Sequence, residues 1–138
     1  MPSKKNNHIL NCPITFALGI FGDKWSLLIV RDIMFRGRST YGEFQDAGDG
    51  IATNILSDRL KRLETNGIIT KQRDPDNGRK KLYQLTERGM ALAPILLEMY
   101  NWSGKYDPHS GASKKILDGL KKDPKGLLEK IQSGKFKI

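Results

Sequence analysis

The chain has 138 residues, 38% of them apolar and 28% charged, enough for one compact domain with a real core and too few for two comfortable ones. Lys and Arg outnumber Asp and Glu by 24 to 15, a net charge of +9, which suits an anionic partner such as nucleic acid or an acidic membrane surface. No apolar run approaches the roughly 20 residues that span a bilayer, the first ten residues lack the apolar block of a secretory signal, and the single cysteine, Cys12, rules out an internal disulfide framework, so a cytoplasmic protein without a membrane partner is expected.

Residues 1–11 read as a loose basic arm, with Ile9 and Leu10 available to dock on something apolar. Pro13, favoured at a first helical position, predicts a helix from Pro13 to Phe21 that ends at Gly22. Ile14, Leu18 and Phe21 form one stripe on it and Phe16 and Ile20 a second, so it calls for two partners, its own core and a second subunit. Gly19 inside it points to close approach of another backbone. Asp23 is placed to cap the next helix, Lys24 to Phe35, whose Trp25, Leu28, Ile29, Ile33 and Met34 supply core bulk. After the basic turn Arg36 to Arg38, Tyr41 to Asp46 makes one or two helical turns with Tyr41 and Phe44 inward, and AGDG at 47–50 supplies a turn.

Ile51 to Gly67 is the stretch around which the rest is organised. Leu56, Leu60 and Leu63 fall on one stripe of a 3.6-residue period, while Asn54, Ser57, Asp58, Lys61 and Thr65 project from the other side with Arg59 and Arg62 on its flanks. Gly67 follows where a left-handed stop is expected. A short helix, a Gly-containing turn and a second helix with a polar outer face is a helix-turn-helix pattern. Ile68 to Arg73 and Lys81 to Leu85 then read as a hairpin with Asn77-Gly78 in its turn, and Arg73, Arg79, Lys80 and Lys81 give it a cationic tip. Taken singly, the helix could be an ordinary solvated one and the hairpin merely basic for solubility. Their adjacency favours a winged helix, in which the helix enters the major groove and the wing reaches backbone or minor groove.

Thr86 is placed to cap a long helix from Glu87 to about Tyr106, bent but not stopped at Pro94, with Met90, Leu92, Ile95, Leu96, Met99, Trp102 and Tyr106 on its apolar side. Its surplus apolar length, with the first helix, is the candidate dimer interface. A homodimer would present two reading helices to successive turns of one duplex. Residues 108–138 hold eight Lys against three acidic residues, yet Ile116, Leu117 and Leu120, then Leu127, Leu128 and Ile131, mark two short amphipathic helices, the second opening at Asp123-Pro124. These either pack on the dimerisation helices or form a basic tail that adds phosphate contacts.

Cys12 at a helix N-terminus, with Lys4 and Lys5 in the preceding arm, fits a reactive thiolate, although a small buried thiol satisfies the position equally well. No enzyme, metal site or cofactor is expected: His8 and His109 are far apart, there is no second cysteine, and no Gly-rich phosphate loop appears.

Cys12-Pro13, Gly22-Asp23-Lys24-Trp25, Tyr41-Gly42-Glu43-Phe44, Gly50-Ile51, Leu56-Ser57-Asp58-Arg59-Leu60, Leu63-Glu64 and Tyr83 through Gly89 together resemble the HxlR family of bacterial transcription regulators, over roughly residues 12 to 107. The resemblance implies an α+β, mostly helical winged helix-turn-helix with N- and C-terminal dimerisation helices, related to the MarR group and binding operator DNA as a homodimeric repressor or activator. It places residues 53 to 61 in the major groove, Arg79 at the wing tip and, in several members, a redox- or electrophile-sensing cysteine at the Cys12 position. The candidate DNA contacts are Thr53, Asn54, Ser57, Asp58, Lys61 and Arg62 on the helix and Arg73, Arg79, Lys80 and Lys81 on the wing. Ala52 departs from the capping serine of many members, and the chain beyond Pro108 exceeds what most carry. The organisation expected is therefore an arm at 1–11, a DNA-binding and dimerisation domain at 12–107 and a basic extension at 108–138, with double-stranded DNA and a second copy as partners and an unidentified small-molecule effector. The competing class is a winged-helix module that mediates protein assembly without specific DNA binding.

Overall fold

The computed structural model describes residues 11–138; the arm expected at the N-terminus, with Lys4, Lys5 and His8, falls almost wholly outside them. Among the described residues the order is α1 (Pro13–Phe21), α2 (Lys24–Arg36), α3 (Tyr41–Gln45), α4 (Thr53–Thr65), β1 (Ile69–Arg73), β2 (Lys81–Leu85), α5 (Glu87–Met90), α6 (Ala93–Tyr106), α7 (Lys114–Lys122) and α8 (Pro124–Gln132). The two strands pair antiparallel, Ile69 opposite Leu85 and Arg73 opposite Lys81. No single described helix is long and apolar enough to cross a membrane.

The core gathers Ile29, Val30, Met34 and Phe35 of α2, Leu56, Leu60 and Leu63 of α4, and Leu92, Ala93, Leu96 and Leu97 around the start of α6. Each large side chain removed from water there contributes about 1.5–3 kcal/mol. The α4 stripe is the one its leucine spacing predicts. On α2, Val30 and Phe35 are buried as well, and so is Asp32, which accepts from Arg31 (2.9 Å) and Arg36 (3.4 Å). Paired in this way, its carboxylate is not left as an unmatched buried charge.

Local chemistry sets the helix ends. Asp23, Thr40, Thr86, Ser113 and Asp123 each accept a backbone N–H in the first turn of the helix they precede. Gly67, at φ 74°, turns the chain from α4 into β1, a left-handed conformation that a side chain would disfavour.

Two expectations are corrected. The single long helix from Glu87 to Tyr106 is two helices, because Pro94 has no N–H for the carbonyl of Met90 and its ring would strike that carbonyl in a continuous helix. The first helix stops at Met90, and Pro94 lies in the opening turn of the second, where the missing donor is harmless. The apolar residues of α6 divide into two sides: Leu96 enters the core with Leu97, whereas Ile95, Met99, Trp102 and Tyr106 are exposed. Nothing in the described chain lies within 4 Å of where a Cβ on Gly19 would stand, which leaves that side of α1 open to a second subunit.

The extension packs. Ile116, Leu127, Ile131 and Phe136 are buried in the same core as α2 and α6, Phe136 meets Phe35 edge-on at 6.4 Å, and the Ile138 N–H donates to the Phe35 carbonyl at 2.8 Å. Its lysines face outward.

Candidate nucleic-acid interface

Helix α4 begins without a side-chain cap, since Ala52 offers none. The neighbouring helix bonds to its first turn without supplying that acceptor: the Tyr41 hydroxyl donates to the Thr53 carbonyl at 3.1 Å and lies 3.3 Å from the Ser57 hydroxyl. Tyr41 is itself held by a capping box, in which Glu43 accepts from the Ser39 and Thr40 N–H groups at 3.1 Å each. These bonds, led by that from Ser39, hold the Glu43 carboxyl below its ordinary pKa against the opposing effect of burial.

With the leucines buried, Thr53, Asn54, Ser57, Asp58, Lys61 and Arg62 are all exposed. Among the described residues, Asn54 and Lys61 make no side-chain hydrogen bond or ion pair. Asp58 is engaged by Arg59 and lies 4.0 Å from Arg62. Arg59, half-buried on the flank, donates its Nε to Asp23 at 2.8 Å. Burial pushes the Asp23 carboxyl up, but hydrogen bonds from Ser26 and Arg59 outweigh it and leave the pKa below the ordinary value.

The hairpin is anchored at the middle of β2, where the Tyr83 N–H donates to the Ser39 carbonyl at 2.7 Å. Its loop is organised by Asp74, which accepts from the Asp76 N–H at 2.9 Å, and by a turn in which the Lys80 N–H donates to the Asn77 carbonyl at 2.9 Å. Arg73, Arg79 and Lys80 are exposed and Lys81 is half-buried. Asp74 and Asp76 share the loop, so the tip is mixed in sign and less cationic than its basic residues alone suggest.

Alternation along a strand puts Ile69, Lys71 and Arg73 on one side of the hairpin with Leu85, Tyr83 and Lys81. That side faces α4: Ser57, Leu60, Lys61 and Glu64 of the helix and Lys71 and Tyr83 of the strands line a single groove of about 430 Å³, mixed in sign, with Tyr41 at its wall. The outward side of α4 and the helix-facing side of the hairpin therefore open together. Lys71 is absent from the contacts anticipated from sequence, although the period of two leading back from Arg73 was a signal for it.

Cys12 precedes α1 and is partly exposed. The Thr15 N–H, the Thr15 hydroxyl and the Ile14 N–H favour its thiolate and lower its pKa from the ordinary value. Beyond it, Ile14 and Leu18 are 69% and 58% exposed on one side of α1, an apolar strip of the kind that marks an interaction surface, and Phe16, on another side, is 60% exposed.

Comparison with known proteins agrees with this architecture. Residues 20–110 match the family model for the HxlR-like helix-turn-helix. The chain is 32% identical over 118 residues to the HTH-type transcriptional regulator sll1512 of Synechocystis, covering 86% of this chain and 85% of that one. It is 32% identical over 96 residues to the HTH-type transcriptional regulator YodB of Bacillus subtilis, covering 69% and 85%. The reduced form of YodB superposes with a TM-score of 0.59 at 30% identity, over 72% of this chain and 97% of that one; YodB is also known in diamide-treated and quinone-bound forms. The redox regulator HypR in its oxidised form superposes with a TM-score of 0.58 at 31% identity, over 68% and 96%. By its winged helix-turn-helix fold and by the span of that match, the chain belongs to the HxlR-like helix-turn-helix family.

Proposed function

We propose that this protein is a sequence-specific DNA-binding transcription regulator that works in the cytoplasm as a homodimer on operator DNA. The observation that carries the reading is the shared groove: Ser57 and Lys61 of α4 and Lys71 of the hairpin face the same space, so one duplex could touch both elements. In this reading Thr53, Asn54, Ser57 and Lys61 reach base edges in the major groove and Arg62 the phosphates, while Arg73, Arg79, Lys80 and Lys81 of the wing meet backbone or minor groove. Asp58, exposed beside these helix residues and paired with Arg59, orients Arg62 toward the DNA. Residues 12–107 supply DNA binding and dimerisation, and the extension supports them by packing on α2 and α6. The exposed apolar residues of α1 and α6 are the surfaces a second copy would cover.

Cys12 is proposed as the input. Its thiolate is favoured by its place at a helix start, it borders the exposed strip of α1, and YodB is known in diamide-treated and quinone-bound forms.

Mobility shift with random and selected duplexes at two salt concentrations tests the reading. Lys61→Ala should weaken the selected operator by about tenfold and narrow its advantage over random DNA, as a lost base contact does. Arg79→Ala should weaken both alike and reduce the salt exponent by about 0.9, as a lost phosphate contact does. Negligible binding of any duplex at physiological salt would make the chain a protein-assembly module instead.

A further inference from the structure

Arg59 stands on the DNA-facing helix, where an arginine invites assignment as a phosphate contact, but the fold has already used it. Its Nε donates to Asp23 Oδ2 at 2.8 Å, and its other arm engages Asp58. The same Asp23 oxygen accepts the Ser26 N–H at 3.1 Å and so caps α2. One carboxylate thus ends the corner between α1 and α2 and holds the flank of α4. That corner is tight: the Gly22 N–H donates to the Leu18 carbonyl at 2.9 Å, and a Cβ on Gly22 would stand 2.4 Å from that oxygen. The direction of α1 is therefore fixed relative to Asp23, and α1 also packs against α4.

We propose that the Arg59–Asp23 pair is the positioning contact that sets the angle of the reading helix to α1, and through it the half-site spacing that a dimer accepts. This rests on the reading of the protein as a dimeric operator-binding regulator. In such a dimer α1 belongs to the subunit contact and α4 to the DNA, so whatever fixes one against the other fixes the separation of the two reading helices. Arg59 then acts without touching DNA. It differs in this from Lys61 and Arg62, whose side chains are exposed.

The test uses the full chain and an operator selected from a random duplex pool by the wild type, remade with the half-site spacing changed by one base pair in each direction. The wild type should lose about tenfold in affinity on either change, comparable to a mismatched base pair. Arg59→Gln and Asp23→Ser, the latter still able to cap α2, should each reduce that penalty to less than about threefold with an unchanged salt exponent. Where Arg59→Gln weakens the fold, Asp23→Ser carries the spacing test, and Arg59→Lys, which retains the cation, should show the wild-type spacing preference. A salt exponent lowered by about 0.9 in Arg59→Gln would make Arg59 a phosphate contact, and a spacing preference as sharp as wild type in both variants would leave the pair with no positioning role. Either result overturns the proposal while leaving DNA binding intact, whereas a wild type that selects no duplex overturns both readings.

Discussion

Helices α4 and α6 each bury one apolar stripe and leave the opposite side uncovered, but the uncovered sides differ in kind. On α4 they are Thr53, Asn54, Ser57, Asp58, Lys61 and Arg62; on α6 they are Ile95, Met99, Trp102 and Tyr106, with Trp102 65% exposed and its ring 5.3 Å from that of Tyr106. A polar, partly cationic side loses little by remaining wet and gains from an anionic surface that offers acceptors. An apolar side of this size is disfavoured in water and is relieved only by another apolar surface. Two amphipathic helices of similar period therefore suit different kinds of partner, and the chemistry of the unburied half distinguishes them.

The comparison breaks most readily at α6. Trp102→Glu should raise the dimer dissociation constant at least about a hundredfold, as loss of an aromatic anchor with gain of a charge does, and operator affinity should fall with it. Sedimentation velocity checks this, and a wild-type chain that stays monomeric at micromolar concentration would remove the distinction between the two helices. A finer test lies in the hairpin. Lys71→Ala should weaken binding severalfold and lower the salt exponent by about 0.9, whereas Thr70→Ala, on the other side of the same strand, should leave both unchanged in mobility shift.

Acid should act on the scaffold that presents α4. The Asp23 and Glu43 carboxyls are both held below their ordinary values of 3.8 and 4.5, so the unfolded chain binds their protons more readily than the folded one. Their stabilisation is full above about pH 4.5 and is lost as pH falls through the lower folded values. Circular dichroism melts over that interval should show it, with a shallower loss in Asp23→Ser. The smallest change in affinity is expected at Cys12: Cys12→Ser should bind the operator within about twofold of wild type yet lose its response to diamide. A mutant that responds as the wild type does would dismiss the thiol as the input.

The features legible in the sequence were those set by neighbours a few residues away. The leucine stripe of α4, the caps at Asp23, Thr86 and Asp123, the stop at Gly67 and the strand pairing each follow from a local period or a single side chain bonding its own turn. What escaped depends on residues distant in sequence. Arg59 is one flank residue among several until the fold brings Asp23, 36 positions earlier, within 2.8 Å. Tyr41 packs against the core as its place in the short helix suggested, but the bond from its hydroxyl to the Thr53 carbonyl of α4, 12 positions later, is set by the fold. The period of two groups Lys71 with Arg73, but only the packing of the hairpin beside α4 puts Lys71 in one groove with Ser57 and Lys61. Pro94 was recognised as a disturbance, but whether a proline bends a helix or divides it depends on what the interrupted turn packs against.

The bond from Tyr83 to Ser39 gives the hairpin a fixed fulcrum. Because the middle of β2 is fastened to the segment that leads into α3, residues 74–80 are the part of the hairpin that lies beyond both this bond and the paired strands. Such a lever can swing at its far end to follow grooves of different width while its near end, with Lys71, keeps a constant distance from α4, so adaptability and registration are carried by separate parts of one hairpin.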